Sequence, residues 1–264
     1  MFYRGVSKVS KIMFFGTCAG TEPIEGMHHL SFAIERNNEY YFFDAGENCS
    51  RTAHLMGVDL LKIKSVFISH THMDHIGGLG NLLWNIRKLS IVRNSVPINS
   101  KVDVYIPNME SWEGILSVLK NTEGDFVCDF DIESHTPADG IIYQDENITV
   151  EAIHNHHIQP KNDKFLSYSY IIEIDKKKIA FSGDLGNMED AERLIKNGCD
   201  YLLIETGHYK VDEILKLVEN YDVKKILFVH NGREIINDIE TVRSKLSKCE
   251  TPTEVCCDEM IIEI

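Results

Sequence analysis

The sequence contains no apolar run near the ~18 residues a membrane-spanning helix needs, no CxxC pair, no low-complexity tract, and only six prolines, which are scattered singly. The first of these absences excludes a spanning helix. The opening stretch "MFYRGVSKVSKIMFFGT" also lacks an apolar segment of signal-peptide length. Cysteine is present but unpaired in pattern: there are seven, an odd number, and the only close spacing is Cys256-Cys257. That argues against a disulfide framework and for reduced thiols, so a cytoplasmic location is expected. Basic residues are short as well, with 27 Lys and Arg against 41 Asp and Glu and a net charge of −14. The basic clusters, Lys176 to Lys178 and Lys224-Lys225, are small and read as solvated turns and strand edges. Such a surface repels phosphate backbones, so the expected partner is a small-molecule substrate, with no large nucleic acid and no membrane.

What remains is ordinary globular composition, 43% hydrophobic and 26% charged over 264 residues, enough for a full core. No internal repeat or linker stands out, and residues 1–264 read as one domain. "KIMFFGT" reads as a strand. "HLSFAIERNNEYYFFDAG" reads as a hairpin turning at Asn37-Asn38. A helix is predicted around Arg51 to Met56, then a strand in "KSVFISH". Leu79, Leu82, Leu83, Ile86 and Leu89 fall at helical spacing. Strands and helices then alternate: "KVDVYIP", "MESWEGILSVLK", "NITVEAIH", "SYSYIIEID", "KIAFSGD", "MEDAERLIKNG", "CDYLLIET", "VDEILKLVENY", "VKKILFVH", "IINDIETVRSKLS" and a last strand in "EMIIEI". His70, His157, Asp184, Glu205 and His230 stand where these strands give way to loops. In open α/β sheets, ligands collect at that end of the strands.

The densest chemistry lies in "SHTHMDHIGG", Ser69 to Gly78, where His70, His72, Asp74 and His75 fall within six residues. Imidazole and carboxylate suit zinc, iron and manganese. Alternate side chains of an extended segment point the same way, so His70 and His72 can grip one ion. Asp74 and His75 lie beyond Met73, at the start of the next helix, and can serve a second ion. Gly77 and Gly78 let backbone pass close by. A structural zinc site would instead be rich in cysteine and closed.

"HTHMDH" resembles the HxHxDH signature of the metallo-β-lactamase-fold hydrolases. The resemblance continues through "FFGTCAGTEP", "YFFDAGEN", "AFSGDLG" and "ILFVHNGR", in order over residues 12 to 233, and is nearest to the branch of tRNase Z and the small phosphodiesterases. It implies an α/β fold, a four-layer αββα sandwich, with two divalent metal ions, Zn first and Mn or Fe compatible. One ion would take His70, His72 and a third histidine. The other would take Asp74, His75 and His230, and Asp184 would bridge them. "AIHNHHI" offers His154, His156 and His157 for the third ligand, and the family's spacing favours His157. Asp44, in "YFFDAGEN", would support the site from behind the ligands. Asp74 would be catalytic as well as a ligand. His208, in "LLIETGHY" beside Glu205, is a candidate proton donor, although the order and spacing of that motif depart from the branch. Tyr209 is a candidate substrate contact, and His28 or His29 could approach the site.

The resemblance further implies hydrolysis by a hydroxide held between the metals. Only 26 residues separate His157 from Asp184. That leaves no room for the long arm with which tRNase Z enzymes hold tRNA, so a small, cyclic nucleotide-like phosphodiester is the expected substrate. A carboxylic ester, thioester or lactone is the alternative, and a non-enzymatic sensor is a lesser one. Relatives are often dimers, and a homodimer is expected on that ground alone.

Overall fold

The computed structural model describes residues 9–264. The N-terminal stretch 1–8, part of the segment read above for a signal-type run, lies outside the described residues.

Fourteen strands are described: β1 (Lys11–Gly16), β2 (Ser31–Arg36), β3 (Glu39–Phe43), β4 (Ile63–Phe67), β5 (Lys101–Tyr105), β6 (Asp131–His135), β7 (Gly140–Gln144), β8 (Ile148–His154), β9 (Tyr168–Ile174), β10 (Lys177–Phe181), β11 (Tyr201–Glu205), β12 (Ile226–Val229), β13 (Thr253–Val255) and β14 (Ile261–Glu263). They form two seven-stranded sheets, ordered β14-β1-β2-β3-β4-β5-β6 and β13-β12-β11-β10-β9-β8-β7. The helices are α1 (Cys49–Leu55), α2 (Met73–Ile76), α3 (Leu79–Arg93), α4 (Met109–Lys120), α5 (Met188–Ile195), α6 (Val211–Val218), α7 (Arg233–Asn237) and α8 (Ile239–Leu246).

The layering follows from which faces are apolar. Phe14, Phe32, Phe43 and Phe67 of the first sheet meet Tyr170 and Phe181 of the second, all fully buried. The rings interlock, with Phe32 and Phe43 stacked at 5.1 Å and Phe181 edge-on to Phe32 at 5.0 Å. The outer face of the first sheet carries Phe15, Phe42 and Val66 and is covered by Leu79, Leu82, Leu83 and Ile86 of α3 together with Trp112 and Leu119 of α4. The outer face of the second is covered by Leu194 of α5, Ile214 of α6 and Val242 of α8. The result is the αββα sandwich expected from the resemblance.

Both halves of the chain follow one plan. β1, β2 and β3 are antiparallel neighbours, and β3 to β6 run parallel. β8, β9 and β10 are antiparallel, and β10 to β13 run parallel. The sequence shows no repeat, because the plan is kept in strand order and not in residue identity. The Asn37-Asn38 hairpin turns with both residues in the left-handed region (φ 55° and 64°), as a tight two-residue turn between right-twisted strands requires.

Three strands were not anticipated. β6, β7 and β13 are half-exposed edge strands; β6 and β13 have no apolar run, and β7 has only the short Ile141-Ile142-Tyr143. The single helix expected over 235–247 is two helices divided at Asp238, whose side chain caps α8 by accepting from the Thr241 amide at 3.1 Å.

The C-terminal segment serves both sheets. β13 edges the second sheet, and β14 pairs with β1 in the first. Between them Asp258 accepts from Thr17 Oγ1 (2.8 Å) and from the His28 amide (2.7 Å). Among the described residues no helix is long and apolar enough to cross a membrane.

Candidate metal centre

The strand β4 is wholly buried and delivers Ser69 and His70 at its end. The chain stays extended to His72, which precedes the short helix α2. Asp74 occupies the first turn of α2, and His75 lies one position further, fully buried. The turn from α2 into α3 packs onto the loop after β3, with the Gly78 amide donating to the Ala45 carbonyl at 2.8 Å. A Cβ at Gly78 would fall 2.2 Å from the Gly46 carbonyl oxygen, so only glycine fits there.

Two candidate ligand groups form at this edge. His70, His72, His157 and Asp184 bring their ligand atoms within 4.8 Å of one another, and Asp74, His75, Asp184 and His230 do the same. Asp184 belongs to both through different oxygens. Its Oδ2 lies 3.7 Å from His70 Nε2 and 3.6 Å from His157 Nε2. Its Oδ1 lies 3.3 Å from both His75 Nε2 and His230 Nδ1. His72 Nδ1 is 3.0 Å from His70 Nε2 and 3.2 Å from His157 Nε2, and Asp74 Oδ2 is 3.0 Å from His230 Nε2.

These donors fit divalent cations. His75 Nε2, Asp184 Oδ1 and His230 Nδ1 are buried and make no hydrogen bond, and buried polar atoms are rarely left so. Oxygen and imidazole nitrogen converging in this way are ligands for zinc-like ions. Two other acidic clusters differ in kind: Lys64 sits within Glu39, Asp145 and Glu146, and Lys101 beside Asp103 and Glu133. An ammonium already supplies the positive charge in each.

The electrostatics divide the centre. Burial, helped by the neighbouring His75 charge, holds His70 well below the usual histidine range, and burial likewise lowers His157. In the second group burial also disfavours the charged ring, but carboxylates prevail: Asp184 and Asp44 hold His75 well above its usual range, and Asp184 with Asp74 raises His230 to about 9. Burial acts to raise Asp74 and Asp184, yet their histidine neighbours hold both far below the ordinary carboxylate range.

Asp44 stands behind the ligands. Its φ is 54°, and it is fully buried. Oδ1 accepts from the Ser69 amide (2.7 Å), while Oδ2 accepts from Ser69 Oγ (2.9 Å) and faces His75 Nδ1 (2.7 Å). Glu205, also fully buried, ends β11. It accepts from the Leu185 amide (2.9 Å) and the His208 amide (2.9 Å) and pairs with His208 Nδ1 at 2.9 Å. That hydrogen bond, against the effect of burial, raises His208.

The three histidines of "HNHH" separate cleanly. His154 pairs with Asp139 at 2.6 Å and stacks on Phe165 at 3.7 Å. His156 pairs with Asp190 at 2.7 Å. His157 alone joins the ligand group. His28 and His29 do not: His28 turns to Asp258, and His29 Nε2 lies 3.2 Å from the Thr21 carbonyl oxygen. Tyr209 packs instead against the core beneath α5 and α6.

A cavity of about 470 Å³ opens over the centre, lined by His72, Asp74, Asp184, His208 and His230 on one side and by Thr21, Glu22 and Arg233 on the other. Glu22 and Arg233 are paired with each other in that wall. Neither was singled out from the sequence, since an exposed glutamate and arginine 211 positions apart carry no local signal. A second hollow of about 440 Å³, between α3 and α4, is lined by Met73, Trp84, Ile115 and Val118 and contains none of the ligands.

Comparison with known proteins agrees with this architecture. The family described as "Anti-Pycsar protein Apyc1" matches residues 10–246. Ribonuclease Z of Methanocaldococcus jannaschii is 28% identical over 206 residues, covering 75% of this chain and 57% of that protein. The chain thus spans little more than half the length of that relative. The crystal structure of human tRNase Z, short form, superposes with a TM-score of 0.70 at 18% identity, covering 96% of this chain and 98% of that one. The metallo-β-lactamase-fold protein YhfI from Bacillus subtilis gives 0.72 at 14% identity, covering 97% and 100%.

These relatives correct one expectation. Net charge led to a small-molecule substrate and to the exclusion of large nucleic acids, but ribonucleases and a tRNase are built on this plan. Net charge averages over the whole surface, whereas binding a polyanion depends on the local field at the site.

Proposed function

The chain belongs to the Anti-Pycsar protein Apyc1 family, within the metallo-β-lactamase-fold hydrolases, and from that premise we propose that it is a phosphodiesterase dependent on two divalent metal ions, zinc first. The observation that carries the reading is the sharing of Asp184 between two ligand groups, one oxygen to each. His70, His72 and His157 would hold one ion with Asp184, and Asp74, His75 and His230 the other. When bound, such ions acidify water and offset the charge of a phosphodiester in the transition state.

The protein's own groups do the rest. Asp44 keeps His75 oriented through Nδ1, leaving Nε2 for the centre. Asp74, on the cavity wall, is both ligand and catalytic carboxylate, kept ionised by His230 and His75. His208 lines the cavity and donates Nδ1–H to Glu205, which favours the charged ring, and in that charged form Nε2–H is the proton that a leaving oxygen requires. Arg233, paired with Glu22 in the cavity wall, could meet an anionic substrate only by exchanging that partner. The cavity of about 470 Å³ has room for a phosphodiester of the cyclic-nucleotide kind. A second reading, cleavage of an RNA phosphodiester, is favoured by the ribonuclease relatives.

The test is to load the protein with Zn or Mn, count ions per chain, and compare turnover of a cyclic nucleotide, a precursor tRNA and a chromogenic carboxylic ester. Two ions with cyclic-nucleotide turnover is the expected result. Turnover of the tRNA alone would transfer the assignment to the second reading, and turnover of the ester alone would overturn both.

For His208→Ala the expected outcome is a rate lower by about 10²-fold or more on an alkoxide leaving group, a much smaller loss on a nitrophenolate, and unchanged metal content. Equal losses on both leaving groups would remove His208 from the proton-donor role.

A further inference from the structure

Asp190 lies outside both ligand groups, yet its carboxylate touches the loops that carry a ligand of each kind. It occupies the third position of α5, and its side chain is 1% exposed. Oδ2 accepts from the His156 amide (3.0 Å), the Gly186 amide (3.1 Å) and the Asn187 amide (3.3 Å). Oδ1 faces His156 Nδ1 (2.7 Å) and accepts from Arg193 (2.6 Å), which also donates to the His154 carbonyl oxygen (3.0 Å).

His156 immediately precedes His157, and Gly186 follows Asp184 by two. One buried carboxylate therefore ties the β8–β9 loop, which presents His157, to the β10–α5 loop, which presents Asp184. The two backbones are pressed together at this point. A Cβ on Gly186 would fall 2.2 Å from the His156 carbonyl carbon and 2.7 Å from the His157 amide nitrogen. On its other side the His157 amide donates to Asn155 Oδ1 at 3.1 Å. With His154 held by Asp139 and His156 by Asp190, His157 is the ring of the three left to face the centre.

We propose that Asp190 is a positioning residue that sets His157 against Asp184 and thereby fixes the affinity of the His70, His72 and His157 group for its metal ion. This rests on the metal-dependent reading above. The capping role of Asp190 in α5 is separate and is satisfied in part by Asn187, whose side chain accepts from the Asp190 amide at 2.9 Å.

The test is a double-mutant cycle read by Co(II) titration, following the visible absorption of each bound ion, with Asp190→Ala, His157→Ala and the double variant. The expected result is that Asp190→Ala weakens one of two binding events by about 10- to 100-fold, a usual range when a partner orienting a ligand is removed, and the other, which shares Asp184, by clearly less. In the His157→Ala background the same substitution should add nothing. His156→Ala, which keeps the amide donated to Asp190, should bind both ions within about threefold of the parent, since the role runs through backbone. Unchanged affinity in Asp190→Ala, or an equal loss with and without His157, would overturn the positioning role. A parent protein that binds no Co(II) would overturn the metal-dependent reading itself. Circular dichroism of each apo variant separates all of these from failure to fold.

Discussion

Asp184→Ala is expected to reduce bound metal from two ions per chain to one or none and to lower phosphodiester turnover by about a thousandfold or more. Asp184 is the one side chain common to both ligand groups, so its loss removes a donor from each. It also removes the anion that most strongly keeps His75 and His230 charged in the metal-free protein. An ion lost from such a site takes with it several kcal/mol of transition-state stabilisation, and about 4 kcal/mol corresponds to about a thousandfold in rate. Metal analysis on the purified variant, alongside single-turnover rates, checks this. Full two-ion occupancy in Asp184→Ala would sink the bridging assignment.

The second large effect is on stability. Asp44→Ala should destabilise the metal-free protein by about 3–5 kcal/mol, because it leaves the Ser69 amide, Ser69 Oγ and His75 Nδ1 buried without their shared acceptor. It also places alanine at φ 54°, a conformation that aspartate and asparagine tolerate better. Asp44→Asn keeps the shape and one carbonyl acceptor and should lose less than half as much. Urea unfolding of the apo proteins gives both numbers. A loss under about 1 kcal/mol for Asp44→Ala would show that the loop relaxes and that Asp44 does not hold the site in place.

How much of this was legible depended on where each signal sits along the chain. His70, His72, Asp74 and His75 are local, and their spacing was enough. Asp184, Glu205 and His230 were marked by standing at the ends of apolar runs. The choice within "HNHH" was open from the residues alone, because it turns on Asp139 and Asp190, which reach those histidines only through tertiary packing. Glu22 and Arg233 were invisible for the same reason. β6 is not legible because an edge strand keeps much of its surface in water and needs no apolar run, and β7 offers only the three-residue run Ile141-Ile142-Tyr143. The break at Asp238 could have been read, since "NDIET" places a capping aspartate ahead of a new helix.

The contact between Thr17 and Asp258 joins positions 241 apart, and it anchors the start of the loop whose next residues, Ala19 to Glu22, form one wall of the cavity. On a ribosome adding about 5–20 residues each second, Thr17 waits roughly 12–50 s for its partner to be made. β1 waits equally long for β14. That wall is therefore fixed long after its own residues are made. Until then the nascent chain carries an open sheet edge at β1 and an unfinished cavity wall, so the growing polypeptide should need protection at β1 until β14 has emerged.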